Sequence, residues 1–116
     1  MTDATTDFLA ALDDLDRALD GNIELLHRMK ERIASLRKAQ AEGVALSDFV
    51  RRETSPMVVQ LLTESARTLH SYGARVRRTE AKCLYEEGMT MEEIARVFGV
   101  TRQRVSAILR EAGRSS

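Results

Sequence analysis

Leu12, Leu15, Leu19, Asn22, Leu26, Met29, Ile33 and Leu36 recur at alternating intervals of four and three residues without interruption. That spacing is a heptad a/d seam over about four heptads, and it commits the first third of the chain to a long helix. At roughly 1.5 Å per residue, a helix from residue 5 to 42 would be about 55 Å long. A small head alone cannot cover so long a stripe, so the helix needs partner helices. Ala11, Ala18, Ile23 and Leu25 widen the apolar face beyond the strict seam, which suits a bundle better than a two-stranded zipper. We therefore expect the eight seam residues to serve dimerisation, with Asn22 as a polar side chain that fixes register. Asp20-Gly21-Asn22 could instead be a turn between two shorter helices. The heptad phase is the same on both sides of Gly21, which a turn would not require, so the continuous helix is the expectation.

Gly43 reads as a helix stop, and Ser47 as the cap of a short helix reaching about Thr54. Ser55 before Pro56 then reads as an N-cap followed by a proline in the first helical position. From there Val58, Leu62, Ser65, Leu69, Tyr72 and Val76 form a second stripe, broadened by Val59, Leu61 and Ala66. Two long helices joined by a compact connection predict an α-hairpin, and two hairpins predict a four-helix homodimer. Gly73 lies inside the second helix, where it is expected to mark a joint between stalk and head, the alternative being a close helix contact. With one proline and abundant Ala, Leu, Glu and Arg, the chain is expected to be all-α. The expected organisation is a helical dimerisation region, 1–74, as a coiled coil or four-helix bundle, followed by a tri-helical domain, 75–116.

The formal net charge is zero, but it is unevenly spread. Residues 1–74 hold nine basic and twelve acidic groups, and residues 75–116 hold nine and six. Arg96, Arg102, Arg104, Arg110 and Arg114 against the single Glu111 make the C-terminal end the most basic part, a modest phosphate footprint. Cys83 is the sole cysteine, so it reads as a small apolar helix residue and excludes an internal disulfide. His27 and His70 lack partners at metal-ligand spacing. Neither a metal nor a cofactor is expected. The opening MTDATTDFLAALDDLD has no basic region followed by an apolar run, and no stretch approaches the roughly eighteen apolar residues of a membrane span. These features predict a cytoplasmic protein, and association with the nucleoid is expected only if the C-terminal segment that follows binds DNA. No phosphate-binding glycine loop or zinc-binding histidine pair is present, and the adjacent acids Glu86-Glu87 and Glu92-Glu93 diverge around their helices, so an enzyme is not expected.

The segment VRRTEAKCLYEEGMTMEEIARVFGVTRQRVSAILREAG divides into three helices. The first runs from about Val76 to Glu87 and stops at Gly88. Thr90 and Glu93 form a T-x-x-E capping box for the second, which ends at Gly99. Thr101 caps the third, which continues to about Glu111. Ile94, Ala95, Phe98, Val100, Val105, Ile108 and Leu109 are the expected core, with Ala95 small where two helices cross. This pattern specifies a helix-turn-helix. At about 100° per residue, Val105, Ile108 and Leu109 define the inward side of the third helix. Gln103, Ser106, Ala107, Arg110 and Arg114 fall opposite, and Arg102 and Arg104 flank that face. Arginine matches both acceptors of guanine and glutamine those of adenine, so Arg102 and Gln103 are the expected base readers, joined by Ser106 and Ala107. Arg96, Thr101, Arg104 and Arg110 are expected on phosphates.

Residues 88–108, through GMTMEEIARVFGVTRQRV, resemble the helix-turn-helix of region 4 of bacterial sigma-70-type factors. The resemblance implies DNA binding with the third helix in the major groove, and Arg102, Gln103, Ser106 and Ala107 at positions that face promoter DNA. Family members often carry longer polar or basic residues where this chain has Ser106 and Ala107, which argues against a standard minus-35 element as its target. No segment resembles sigma region 2. The leading expectation is a dimeric, sequence-specific bacterial transcriptional regulator bound to double-stranded DNA. The rival readings are an adaptor that docks its acidic helices (Asp13, Asp14, Asp16, Asp20) on RNA polymerase or another regulator, and an architectural protein without sequence preference.

Overall fold

The computed structural model describes residues 3–53 and 56–115, with side chains as far as Gly113. Among these residues the fold is all-helical: α1 (Asp3–Ala41), α2 (Leu46–Arg52), α3 (Val58–Glu86), α4 (Met91–Phe98) and α5 (Arg102–Ser115). The seam leucines do lie on one long helix, 39 residues without a break at Gly21. The chain divides into two compact units, Met1–Asp16 with Ser71–Ser116, and Arg17–His70.

In the Arg17–His70 unit, Leu25 and Met29 of α1 are buried with Leu61 of α3, and Ile33 and Val58 pack against them. Two buried polar side chains, Asn22 on α1 and Ser65 on α3, interrupt this apolar packing. The seam is thereby divided. Asn22 and Met29 are already covered inside the chain, whereas Leu26 is 44% exposed. The internal contact draws on Leu25 beside it, because the apolar face is wider than a two-residue seam and α3 covers only one flank of it. The second stripe divides similarly: Leu61 and Ser65 face inward, while Val59, Leu62 and Leu69 remain exposed.

The connection between these helices starts as expected and then departs from the sequence reading. Gly43, at φ 78°, ends α1 with a bond from the Val44 N–H to the Ala39 carbonyl at 2.9 Å. Ser47, however, does not cap α2. Ala45 holds the N-cap position with no side-chain bond, and Ser47 is already the second residue of the helix. What fixes α2 is Arg32 of α1, which reaches the Glu53 carboxylate at 2.6 Å and lies 5.7 Å from the centroid of the Phe49 ring. The expected Ser55 cap, and the end of α2 at Thr54, fall outside the described residues. Pro56 is not the first helical residue either. Met57 takes the cap position, with its carbonyl accepting from the Leu61 N–H and its own N–H donating to Gln60 Oε1 at 2.8 Å. Gln60 thus supplies the returning half of a capping box and moves the helix start past the proline.

In the other unit the first turns of α1 run antiparallel to the end of α3. Thr5 Oγ1 lies 3.5 Å from Cys83 Sγ, and nine residues further along α1 Asp14 bonds Arg75, eight residues earlier on α3. Ala4 and Ala11 are buried there, small enough for close helix approach, while Leu12 stays exposed. The helix expected to start near Val76 is no separate element. α3 passes through Gly73 and Val76 unbroken and supplies the first helix of the tri-helical head.

Gly73 is an interior helix position whose added Cβ would meet only the Arg77 guanidinium, at an ordinary 3.6 Å. Gly73→Ala should therefore raise the free energy of unfolding by about 0.5–1 kcal/mol. Chemical denaturation of the two proteins checks this, and a lowered midpoint would show that the position needs glycine for close packing.

Candidate nucleic-acid interface

The site is assembled by two glycines and two threonines. Gly88, at φ 102°, ends α3, with the Met89 N–H bonded to the Leu84 carbonyl at 3.1 Å. Thr90 then opens α4 with a complete capping box. Its N–H donates to Glu93 Oε1 at 3.0 Å and its Oγ1 accepts from the Glu93 N–H at 3.2 Å. The bonds from the Thr90 backbone and then its side chain hold the Glu93 carboxyl below its ordinary range. Gly99 ends α4 in the left-handed conformation, φ 68° and ψ 34°, which lets the Val100 N–H reach the Ala95 carbonyl at 3.0 Å. Two residues later Thr101 caps α5: its Oγ1 accepts from the Arg104 N–H and its carbonyl from the Val105 N–H, each at 3.1 Å.

These turns bring α4 and α5 together over a core of Ala81, Ile94, Ala95, Val105 and Ile108, with Leu84, Met89, Met91, Phe98 and Leu109 packed around it. Val100, expected in that core, is 38% exposed, because the residue after a left-handed glycine points along the turn rather than into the helix crossing. Two core members were missed. Ala112 is buried at 7% and lies seven residues after Val105 on the same face, so the helical period could have found it. It falls beyond the expected end of α5 at Glu111, whereas the helix runs to Ser115. Ala81 carries no local signal: only its place on α3 opposite α4 and α5 makes it core.

Packing Val105 and Ile108 inward sets the opposite face of α5 outward. Arg102, Gln103, Arg104 and Arg110 are exposed along it, and Ser106 and Ala107 are half-buried. Arg96 is exposed on α4 and Thr101 at the cap. Arg114 is in the helical backbone of α5, but its side chain falls outside the described residues. With the Arg104 amide taken by Thr101, the Arg102 and Gln103 amides at the start of α5 have no partner within the helix, an arrangement that favours an anion. Glu92, in sequence one of a pair of adjacent acids that diverge around the helix, lies 2.8 Å from Arg102 Nε. Nothing in the spacing of residues 92 and 102 announces that contact.

Residues 82–115 match the family model described as sigma-70, region 4. No curated protein and no solved structure matches the chain. The C-terminal segment is therefore a sigma-70 region 4-like helix-turn-helix, a type of DNA-binding region, carried by an all-helical chain whose first helix is unusually long.

Gly99 has open space around an added Cβ, so a substitution there is penalised through the backbone alone. Gly99→Ala should cost about 1–2 kcal/mol of stability, the penalty of the left-handed conformation for an L side chain. Thermal melts should show the loss, and an unchanged melting temperature would mean that the turn is not held in this form.

Proposed function

We propose that this protein is a sequence-specific DNA-binding transcriptional regulator that acts as a dimer and places α5 in the major groove. The observation that carries the reading is the exposed run Arg102-Gln103-Arg104 at the capped start of α5, on the helix that matches a DNA-binding family at residues 82–115. Arg102 and Gln103 read bases, with Ser106 and Ala107 forming the short-chained middle of the reading face. Arg96, Thr101, Arg104 and Arg110 position the head on phosphates. Because Ser106 and Ala107 are short and half-buried, discrimination rests mainly on the first turn of α5. The protein performs no catalysis, requires no metal or cofactor and works in the cytoplasm on the nucleoid. Among the described residues no helix is long and apolar enough to cross a membrane, and no cluster of potential metal ligands occurs.

Dimerisation is supported by the apolar surface of the Arg17–His70 unit. Leu26 on α1 at 44% and Leu62 on α3 at 57% exposure belong to stripes that the single chain leaves uncovered, together with Ile23, Val59 and Leu69. In the same unit Leu19, Ile33 and Leu36 are half-buried, and in the other unit Leu12 is exposed and Leu15 half-buried. Asn22 and Met29 act within each chain. Two heads related by a twofold axis would prefer an inverted repeat with half-sites about one helical turn, roughly 34 Å, apart or a multiple of it.

An adaptor that docks on RNA polymerase or another regulator is the second reading, and the exposed Asp13, Asp16 and Asp20 on α1 favour it. Asp14 does not join that surface, since it is tied to Arg75.

Selection of genomic fragments by the purified protein at two salt concentrations should enrich an inverted repeat. Failure to enrich any motif, with polymerase co-purifying after nuclease treatment, would favour the adaptor. On the enriched site, Arg102→Ala and Gln103→Ala should each lose about 5- to 150-fold of base discrimination, whereas Arg110→Ala should weaken all sequences alike and reduce the salt slope by about one. Discrimination equal to wild type in both alanine variants would refute the reading face. Leu62→Glu, at a position exposed in the single chain, should leave the helical content intact and convert the protein to a monomer in sedimentation. A dimer that survives it would move the interface elsewhere.

A further inference from the structure

We infer that Glu92 is a positioning and specificity-determining residue: through its contact with Arg102 Nε it sets the guanidinium for base reading and suppresses binding to unselected DNA. The inference rests on Arg102 reading a base, as proposed above. Glu92 stands in the first turn of α4, and the Thr90–Glu93 capping box fixes that turn. Arg102 is the first residue of α5, held by the Thr101 cap and by the left-handed turn at Gly99. Both backbones are thus fixed before the side chains meet, and Glu92 Oε1 lies 2.8 Å from Arg102 Nε. The two residues border one cleft with Tyr85, Met89 and Met91.

The atom engaged decides the consequence. Guanidinium carries five N–H donors in one plane, and Nε is the one nearest the aliphatic stem. A carboxylate on Nε restrains the stem and the plane together, yet leaves Nη1 and Nη2, the pair able to meet guanine O6 and N7 end-on. Rotamer freedom surrendered in the free protein is not lost again on binding, so the restraint favours the one base that fits the preset plane. Arg104, expected on phosphate, shows the contrast. Its approach to Glu111 is 3.9 Å, beyond hydrogen-bond length, and a phosphate contact needs charge more than orientation.

Glu92 also places a negative charge beside the reading helix. Its side chain is 63% exposed and that of Arg102 60%, so the pair adds little to stability, but the carboxylate lies well within a Debye length of any backbone that Arg102 approaches. It repels phosphates on every sequence and assists Arg102 on only one. The net result is weaker general binding and sharper choice.

The test uses the full-length protein and its selected site, variants of that site with each base pair changed singly, and random duplex of equal length. Affinities are measured for wild type, Glu92→Ala, Glu92→Gln, Arg102→Ala and the Glu92→Ala/Arg102→Ala double variant. Glu92→Ala should bind random duplex more tightly than wild type. It should lose about two- to fivefold of discrimination at the base pair that Arg102→Ala identifies, and none at the others, as an exposed ion pair allows. Glu92→Gln keeps an acceptor for Nε–H, so it should tighten random binding while retaining more discrimination than Glu92→Ala. In the Arg102→Ala background, Glu92→Ala should change discrimination no further. If Arg102→Ala loses discrimination at its base pair and Glu92→Ala does not, Glu92 has no positioning role and the inference falls alone. If Glu92→Ala lowers discrimination at all base pairs equally, it acts on the head as a whole and the inference also fails. If Arg102→Ala itself keeps full discrimination, the base-reading assignment falls and takes this one with it.

Discussion

Ile94 of α4 and Val105 of α5 are wholly buried in one cluster, and the rest of the head follows from holding them there. The link between the two helices is only Gly99, Val100 and Thr101, so the chain must reverse within three residues. A left-handed residue at the end of α4 and a side-chain cap at the start of α5 make that reversal possible without leaving buried amides unpaired. Once Val105 and Ile108 are turned inward, the period of the helix leaves Gln103 and Arg110 no place but the outside, and Arg102 is exposed on the flank of that face at the helix start. The charged face is therefore a consequence of the apolar one.

The long helices obey the same logic with a different outcome. α1 carries more apolar surface than α3 can cover. In each unit the residue just before a seam leucine is buried, Ala11 in one and Leu25 in the other, while Leu12 and Leu26 remain outside. A chain that only had to fold would gain nothing from large aliphatic side chains on the uncovered flank. The proposed pairing would use them, since uncovered stripes at three- and four-residue spacing suit a second helical surface. Asn22 and Ser65 are buried in the same unit, and Asn22 Oδ1 has no hydrogen-bond partner among the described residues.

The acidic groups of the first helix have differing roles despite their proximity in sequence. Asp14 bonds Arg75 and helps to hold the start of α1 on α3, whereas Asp13 and Asp16 on either side face solvent. A run of like charges thus divides into one structural partner and several surface groups according to helical phase. Glu92 and Glu93 divide likewise: Glu93 closes the capping box and Glu92 turns to Arg102. In both cases neighbours in sequence diverge by about 100° around the axis and so meet different surroundings.

Features governed by local chemistry were legible in the sequence. The heptad spacing determined the long first helix, T-x-x-E determined the start of α4, Gly88 and Gly99 determined where helices end, and the period of residues 102–110 determined which side chains of α5 face inward. These depend on backbone geometry within one or two turns, and such rules act before any distant contact forms. Only the tertiary structure decided which flank of α1 would be covered, that α3 would run unbroken through Gly73 into the head, and that Glu92 would meet Arg102. Each of these depends on groups that local rules do not bring together: the coverage of α1 is set by which arrangement buries the most apolar surface, and the exposed Glu92–Arg102 contact by how the packing of α4 on α5 places the two helix starts.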